Sequence, residues 1–466
     1  MELIYYAIYE GGSMGKTKVM KDEFYSSMIR LVIPIVLQNL ISTAVNSADV
    51  VIVGLIGQDA LSSVSLANQL QFILNLVYCG IASGATIMAA QYWGKQDTDA
   101  IEKIMGIAMR FSIGVSALFA VLACIFPRYV MLVFTNDPVL IEGGIEYLRI
   151  LGFSYLFMSI SQAYLCIMRS IERVKFATAT FGSALVINII LNLAFIYGAF
   201  GLPKMGIEGI ALATVIARAV ETMICMIDAA RFKTVRFKVS HIFSRNKVLF
   251  QDYMKYALPA FGNEVVWGVA FSMYSVIMGH LGNDMVAANS VVTVARNLGT
   301  VLCFGISSGG AIYLGKLIGD GRMEEARRDS SRLLKVTFAA GLVGGLLIFI
   351  CRPLMMQMVD LTETASQYLT TMLLINIYYV MGQAMNTTFI CGIFRSGGDA
   401  KFGFICDIID MWGFSVPVGF FCAFVLDLPP MWVYFIICLD EFVKMPFVIK
   451  HYKSYRWLKN ITRQNL

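Results

Sequence analysis

Charge is what this chain has least of. Only 15% of its residues are charged, 58% are hydrophobic, and the mean hydropathy is +0.70. A soluble domain needs far more polar surface than that, so a water-soluble fold is excluded. Histidine is nearly absent. The three present, His241, His280 and His451, all lie outside the middle of any apolar run, which argues against a histidine-rich metal centre. The ten cysteines fall in or at the ends of apolar runs, and none forms a CxxC pair. They read as small apolar packing residues. No cleavable leader is expected, because "LIYYAIY" near the start is too short and too aromatic for its apolar core. "GGSMGKTKV" is no phosphate loop, since Glu10 stands where the first glycine would have to be.

What the chain does have is long apolar runs. They exceed the length needed to span a bilayer as helices, and the short alternating strands of an outer-membrane barrel are missing. Breaks at charged or glycine-rich points give twelve spans. They cover residues 28–56, 61–92, 104–126, 145–168, 176–200, 206–230, 253–281, 286–316, 332–351, 366–393, 402–426 and 431–449. With the N-terminus inside, only Arg128, Lys204 and Arg352 fall in outer loops, and Arg149, Arg218 and Arg296 fall within helices. The rest of the 37 lysines and arginines lie on the inner side, which predicts cytoplasmic termini in a cell membrane. The net charge of +6 therefore marks a membrane face, and no nucleic-acid partner is needed to explain it.

The chain also repeats itself. Residues 34–94 align without a gap on residues 259–319. Pro34 meets Pro259, Asp59 meets Asp284, and Gly54, Gly57, Gly80, Gly84 and Gly94 each meet a glycine. Proline and glycine set backbone shape, so their coincidence carries more weight than shared apolar composition. Further on, Arg169-Ser170 and Lys175-Phe176 meet Arg395-Ser396 and Lys401-Phe402. Two six-helix halves with a pseudo-twofold axis along the membrane normal follow. The expected division is a tail over 1–27, a bundle over 28–230, a basic linker over 231–252, a second bundle over 253–450 and a tail over 451–466. The expected fold is thus an all-α integral membrane protein, with twelve transmembrane helices in two pseudo-symmetric six-helix bundles around a central cleft.

Several stretches resemble the multidrug and toxic compound extrusion (MATE) family. "IPIVLQNLISTAVNSADVVIVGLIGQDALSSVSLANQ" and "GATIMAAQYWGKQD" are similar to its helices 1 and 2. "VINIILNLAFIYGAFGLPKMGIEGIALATVIAR" is similar to its helices 5 and 6, and "FRSGGDAKF" to the loop after helix 10. The likeness runs in order along nearly the whole chain. It implies two bundles forming a V, and export of organic cations or other small amphipathic compounds driven by inward Na+ or H+ flow. It implies no cofactor beyond that ion. No oligomer signal is visible, and a monomer in the lipid bilayer is expected.

Ionisable residues inside a membrane are costly and usually face the protein interior. Asp49 is the foremost case, and the resemblance places it at the helix 1 aspartate that carries the coupling ion in bacterial members. Asn188 and Asn192 are four apart and share a helical face. With Thr214 they match family positions near that aspartate. A carboxylate with amide and hydroxyl oxygens suits Na+, while a desolvated aspartate can carry a proton instead. The second acid that family members often carry on helix 5 is replaced here by Asn192, which tilts the reading towards Na+. Alternatively, Asp49 is a structural carboxylate satisfied by neighbouring amides, and the asparagines are interhelical glue. Pro34 is expected to permit a bend in helix 1.

In the second half Tyr274 stands where the first has Asp49, so the ion site is expected in the N-terminal half only. Glu264 and Arg296 are deep enough to need partners. They either pair with each other or line the substrate cleft. Trp267, Phe271, Met273, Tyr274 and Tyr155 offer aromatic and sulfur surface suited to flat cations. Asp407 and Asp410 form DxxD one helical turn apart, and either line the cleft, bond a neighbouring helix, or hold magnesium in an intramembrane transferase. Arg218 with Glu221, and Asp440-Glu441 with Lys444, read as local ion pairs near the cytoplasmic ends. A flippase for lipid-linked oligosaccharide or lipid II is the remaining alternative. It is disfavoured because Arg296 is the one evident mid-helix arginine of the second half.

Overall fold

The computed structural model describes residues 23–463, apart from 55, 202, 245 and 358–360. The expected tail therefore lies largely outside the described residues. Twelve helical rods follow one another. They are α1 (Glu23–Gly54), α2 (Gln58–Gly94), α3 (Thr98–Ile125), α4 (Pro138–Ser170), α5 (Val174–Tyr197) and α6 (Ile207–Arg231). The second set is α7 (Lys247–His280), α8 (Asn283–Gly319), α9 (Met323–Gln357), α10 (Glu363–Thr387), α11 (Ala400–Asp407, continued to Phe424) and α12 (Pro430–Ile437, continued in short turns to Lys453). No strand occurs among the described residues. Nine of the described helices are long and apolar enough to cross a membrane. The other three, α7, α10 and α12, carry more polar side chains or are broken into short pieces. Large apolar side chains such as Ile125, Phe349, Ile409 and Phe447 are exposed, as a lipid-facing surface requires.

The repeat is visible in the backbone. Helices α2 and α8 are both 37 residues long and start and stop at aligned positions. Each begins after a glycine at positive φ, Gly57 at 146° and Gly282 at 122°, where an L side chain would be strained. The turn that closes α2 has Gln96 at φ 63°, and the turn that closes α8 has Gly321 at 82°. Glu172 after α4 and Gly398 before α11 form a second such pair, at 66° and 76°.

Contacts divide the chain into two compact units. Among the described residues, one holds 23–36 together with Gly262–Thr462, and the other holds Leu37–Phe261 with Arg463. The sequence suggested a division at the linker, but the chain changes unit inside α1 and inside α7. Glycines supply the reason. In the second unit, a side chain at Gly80 would run into Phe261, whose Cα lies 2.8 Å away, and one at Gly84 would meet Ala257 at 2.5 Å. In the first unit, the aligned Gly305 faces Val36, and Gly309 faces Val32 at 2.9 Å. The bare backbones of α2 and α8 thus admit the opening stretches of α7 and α1. Pro34 and Pro259 sit just before the two crossing points, each removing one helical hydrogen bond.

Around this contact each unit builds its own core. In the second unit α4 packs against α2, α3 and α6, around Leu74, Leu148, Leu151, Tyr155 and Met158. In the first, α8, α9 and α10 pack together, and Met285, Val292, Leu373, Val380 and Met411 fill the interior.

Gly84→Val forces Ala257 and its backbone aside, and is expected to destabilise the protein by about 1–3 kcal/mol. Gly54→Ala, with nothing within 4 Å, should leave stability unchanged. Thermal unfolding of the two variants in detergent checks the contrast.

Candidate functional site

In the second unit, α1, α5 and α6 bring together the four residues expected to bind an ion. Asn192 Nδ2 donates to Asp49 Oδ1 at 3.0 Å and lies 3.2 Å from Asn188 Oδ1. Asn188 Nδ2 donates to Thr214 Oγ1 at 3.2 Å, and that hydroxyl donates to the carbonyl of Ile210. The chain of bonds exists because Asn188 and Asn192 are one turn apart on α5, so both face α6 and the carboxylate of α1. Both asparagines are buried. Asn192 Oδ1 is wholly buried and accepts no hydrogen bond, which is a costly state unless something else satisfies it.

Asp49 opens on a cavity of about 330 Å³. Its wall includes Asn68, Gln71 and Asn75 of α2, along with Tyr147, Asn188 and Arg218. The three α2 residues lie three and four apart and so form one polar stripe. "NQLQFILN" carried that signal in an otherwise apolar helix, and sequence reasoning passed over it. Tyr147 Oη donates to Asn68 Oδ1 at 3.2 Å. Arg218 pairs with Glu221 at 2.6 Å, as the spacing suggested, yet it also faces the cavity. Glu221 is fully buried and neutralises Arg218. Among the described residues no lysine or arginine lies within ion-pair distance of Asp49. The cavity therefore carries one uncompensated carboxylate beside an unsatisfied amide oxygen.

The first unit holds a second, denser polar cluster. Lys444 of α12 is 4% exposed and contacts Asp407 at 3.2 Å, Asp410 at 3.6 Å and Glu441 at 3.2 Å. Asn263 Nδ2 donates to Asp407 Oδ2 at 2.6 Å, and Asn386 Nδ2 to Glu441 Oε2 at 2.8 Å. Tyr274, which aligns with Asp49, donates its hydroxyl towards Ser415 at 2.8 Å and Asp440 at 3.2 Å. Asp410 sits on a π-helical stretch of α11, Ile408–Ser415, and neither of its oxygens has a hydrogen bond. Four buried acids thus surround one lysine. Such an excess of negative charge is sustained only by added protons or cations.

This cluster alters several expectations. Glu264 does not pair with Arg296. It pairs with Arg395 at 3.0 Å, and Arg395 also donates to Asn263. Arg296 instead lies over the rings of Tyr379 and Phe271, at 5.2 and 5.7 Å, and its Nε has no hydrogen bond. The reason is reach: Arg395 enters from the end of α10 on the level of Glu264, while Arg296 points among aromatic side chains. Asp407 and Asp410 meet the ammonium of Lys444 where a magnesium ion would have to sit. Lys444 pairs with Glu441 at the expected spacing, and in addition it is buried against Asp407 and Asp410. Trp267 packs at a tilt against Phe271, ring centroids 4.3 Å apart, at the edge of the first unit's core. Tyr155 is fully buried in the second unit's core and presents no surface to a ligand.

The MatE family model matches residues 34–194 and 259–421. The chain belongs to the MatE family. The two matched segments begin at the paired prolines, Pro34 and Pro259, so the family's own repeat coincides with the one in this sequence. MatE relatives include "Probable multidrug resistance protein YoeA" of Bacillus subtilis, 25% identical over 89% of this chain and 91% of that protein. Another, "Probable multidrug resistance protein NorM" of Rhizobium meliloti, is 23% identical over 87% of each. Among solved structures, an outward-facing multidrug resistance MATE family transporter of the MOP superfamily superposes with a TM-score of 0.83. It shares 17% identity, over 95% of this chain and all of that one. A MOP superfamily transporter from Pyrococcus furiosus, described as having a binding pocket of reversed polarity, gives 0.82 at 18% identity, over 95% and 99%. The twelve-helix MatE fold is thereby established, and with it a multi-pass membrane transporter that is not an enzyme.

Lys444→Met leaves the surrounding acids without their cation and is expected to cost about 3–5 kcal/mol. Asn68→Ala, at the cavity wall, should cost less than about 1 kcal/mol. Comparing detergent unfolding temperatures of both variants with wild type tests this ranking.

Proposed function

We propose that this MatE protein exports small amphipathic or cationic molecules across the cytoplasmic membrane in exchange for Na+ or H+. Alternating access exposes one site to each side in turn. The observation that carries the reading is the single uncompensated carboxylate, Asp49, opening on a polar cavity beside the orphaned Asn192 Oδ1. When Asp49 is occupied by the ion, the cavity is neutral and a cationic substrate has lost its counter-charge. When the ion leaves, the carboxylate attracts the substrate. This mutual exclusion is the chemical basis of antiport.

The donor set favours Na+. Asp49, Asn192, Asn188 and Thr214 offer hard oxygens from three helices, which suits a small hydrated cation more than a proton relay between two acids. The sign alternation of lysine and arginine supports cytoplasmic termini. The MatE relatives named as multidrug resistance proteins support the substrate class. No observation favours a flippase, since the cavity's arginine is neutralised by Glu221.

Proteoliposomes loaded with a fluorescent organic cation, and given a sodium or a proton gradient separately, test the proposal. Wild type should respond to one of them, and Asp49→Asn should lose at least about 90% of driven flux, roughly 1.4 kcal/mol or more of coupling. Undiminished driven flux in that variant contradicts the proposal. Asn192→Asp restores a second acid and should make flux respond to a proton gradient.

A further inference from the structure

The chain between α6 and α7 is moored to the start of α3, and the mooring contains an unexplained gap. Glu102, on the first turns of α3, is 6% exposed. Its Oε1 accepts the main-chain N–H of Arg236 at 2.7 Å. Arg110 donates to the carbonyls of Ile242 and Ser244 on the same connecting segment. Gly106 lets that segment come close, because a Cβ there would lie 2.6 Å from the carbonyl of His241. These contacts pin His241, in the short helix Val239–Phe243, against the face of α3 that carries Asp99 and Glu102. The two acids are three apart and share that face.

One ligand atom from each of Asp99, Glu102 and His241 lies within 4.8 Å of the others. His241 Nε2 and Glu102 Oε2 are 3.7 Å apart, too far for a hydrogen bond. His241 Nε2 is buried and has no hydrogen-bond partner. Two ligands bonded to a tetrahedral ion at about 2.0–2.1 Å stand roughly 3.3 Å apart, so a small closing movement brings both onto one ion. The carboxylates do have cationic neighbours. Lys238 Nζ lies 2.6 Å from Glu102 Oε2, and Lys103 Nζ lies 2.7 Å from Asp99 Oδ2. Lys238 is 45% exposed, so it can turn into solvent at little cost. With its Nε2 unprotonated, the imidazole offers a lone pair that neither lysine takes up. A metal ion satisfies all three.

We propose that Asp99, Glu102 and His241 form a site for one first-row divalent ion of the zinc type, bound through two carboxylates and an imidazole. The ion clips the connecting segment onto α3. The site is separate from the Asp49 cavity and does not depend on the antiport reading. Two oxygens and one nitrogen select zinc-like ions over magnesium, which prefers oxygen alone.

The test titrates the purified full-length protein, stripped of metal with a chelator, with Zn2+ against a chromophoric zinc indicator. Saturable binding of one ion is expected, with excess Mg2+ failing to displace it. His241→Ala and Glu102→Gln should each weaken binding by at least about tenfold, while Lys238→Ala, which removes the competitor, should tighten it. Zn2+ should also protect the segment from Arg231 to Lys247 against trypsin in wild type but not in His241→Ala. Absence of saturable binding overturns the proposal. So does binding that His241→Ala leaves unchanged, which would place the ion elsewhere, for example on cysteines.

Discussion

A carboxylate inside a membrane helix cannot be left to the lipid, and the second unit is organised around meeting that demand at Asp49. Protein surrounds it on most sides, and its open side faces the polar cavity. Asn192 supplies one hydrogen bond, Asn188 positions Asn192, and Thr214 positions Asn188. Three helices are fixed in register by this chain of neutral groups. None of its members carries positive charge. The aspartate is thus held by amides and, among the described residues, has no ion-pair partner of its own.

The first unit solves the opposite problem. There the position aligned with Asp49 is Tyr274, and the acids come from α11 and α12 and gather around Lys444. A resident ammonium occupies the centre, and Arg395 serves Glu264. Duplication thus gave two similar backbones whose polar interiors diverged. One holds a lone carboxylate facing a cavity, and the other holds a crowded network in which the acids outnumber the resident ammonium. The shared backbone rests on glycines of α2 and α8 that let α7 and α1 approach closely. Small residues at helix contacts are the general means of packing in lipid, where no hydrophobic drive pulls helices together.

Much of this could be read from residues alone, and the reasons differ by feature. Twelve helices and the twofold repeat were legible because membrane thickness and backbone geometry constrain sequence strongly. The aligned glycines at positions 57 and 282 recur as aligned positive-φ turns. Helical spacing put Asn188 and Asn192 on one face, and the family resemblance put them, with Thr214, near Asp49. Partners on separate helices of the first unit were not. Glu264 and Arg296 looked like mates by depth, but depth does not fix azimuth, and Arg395 was closer. Lys444 read as a local partner of Asp440-Glu441, and its pair with Glu441 is present, but nothing local reports its contacts with Asp407 and Asp410 on another helix. The polar stripe of α2 was present in the sequence and simply masked by the apolar residues between. The crossing of α1 and α7 from one unit to the other depends on glycine contacts about 180 and 270 residues distant in sequence, beyond any local periodicity.

The central claim is that Asp49 is the shared seat of ion and substrate. Equilibrium binding of a fluorescent organic cation to the purified protein, measured at a series of sodium concentrations and a series of pH values, addresses it most directly. The account predicts that the apparent Kd in wild type rises in proportion to the concentration of one ion and is indifferent to that ion in Asp49→Asn. An equal ion dependence in wild type and variant would show that competition occurs elsewhere, and Asp49 would be a buried structural acid.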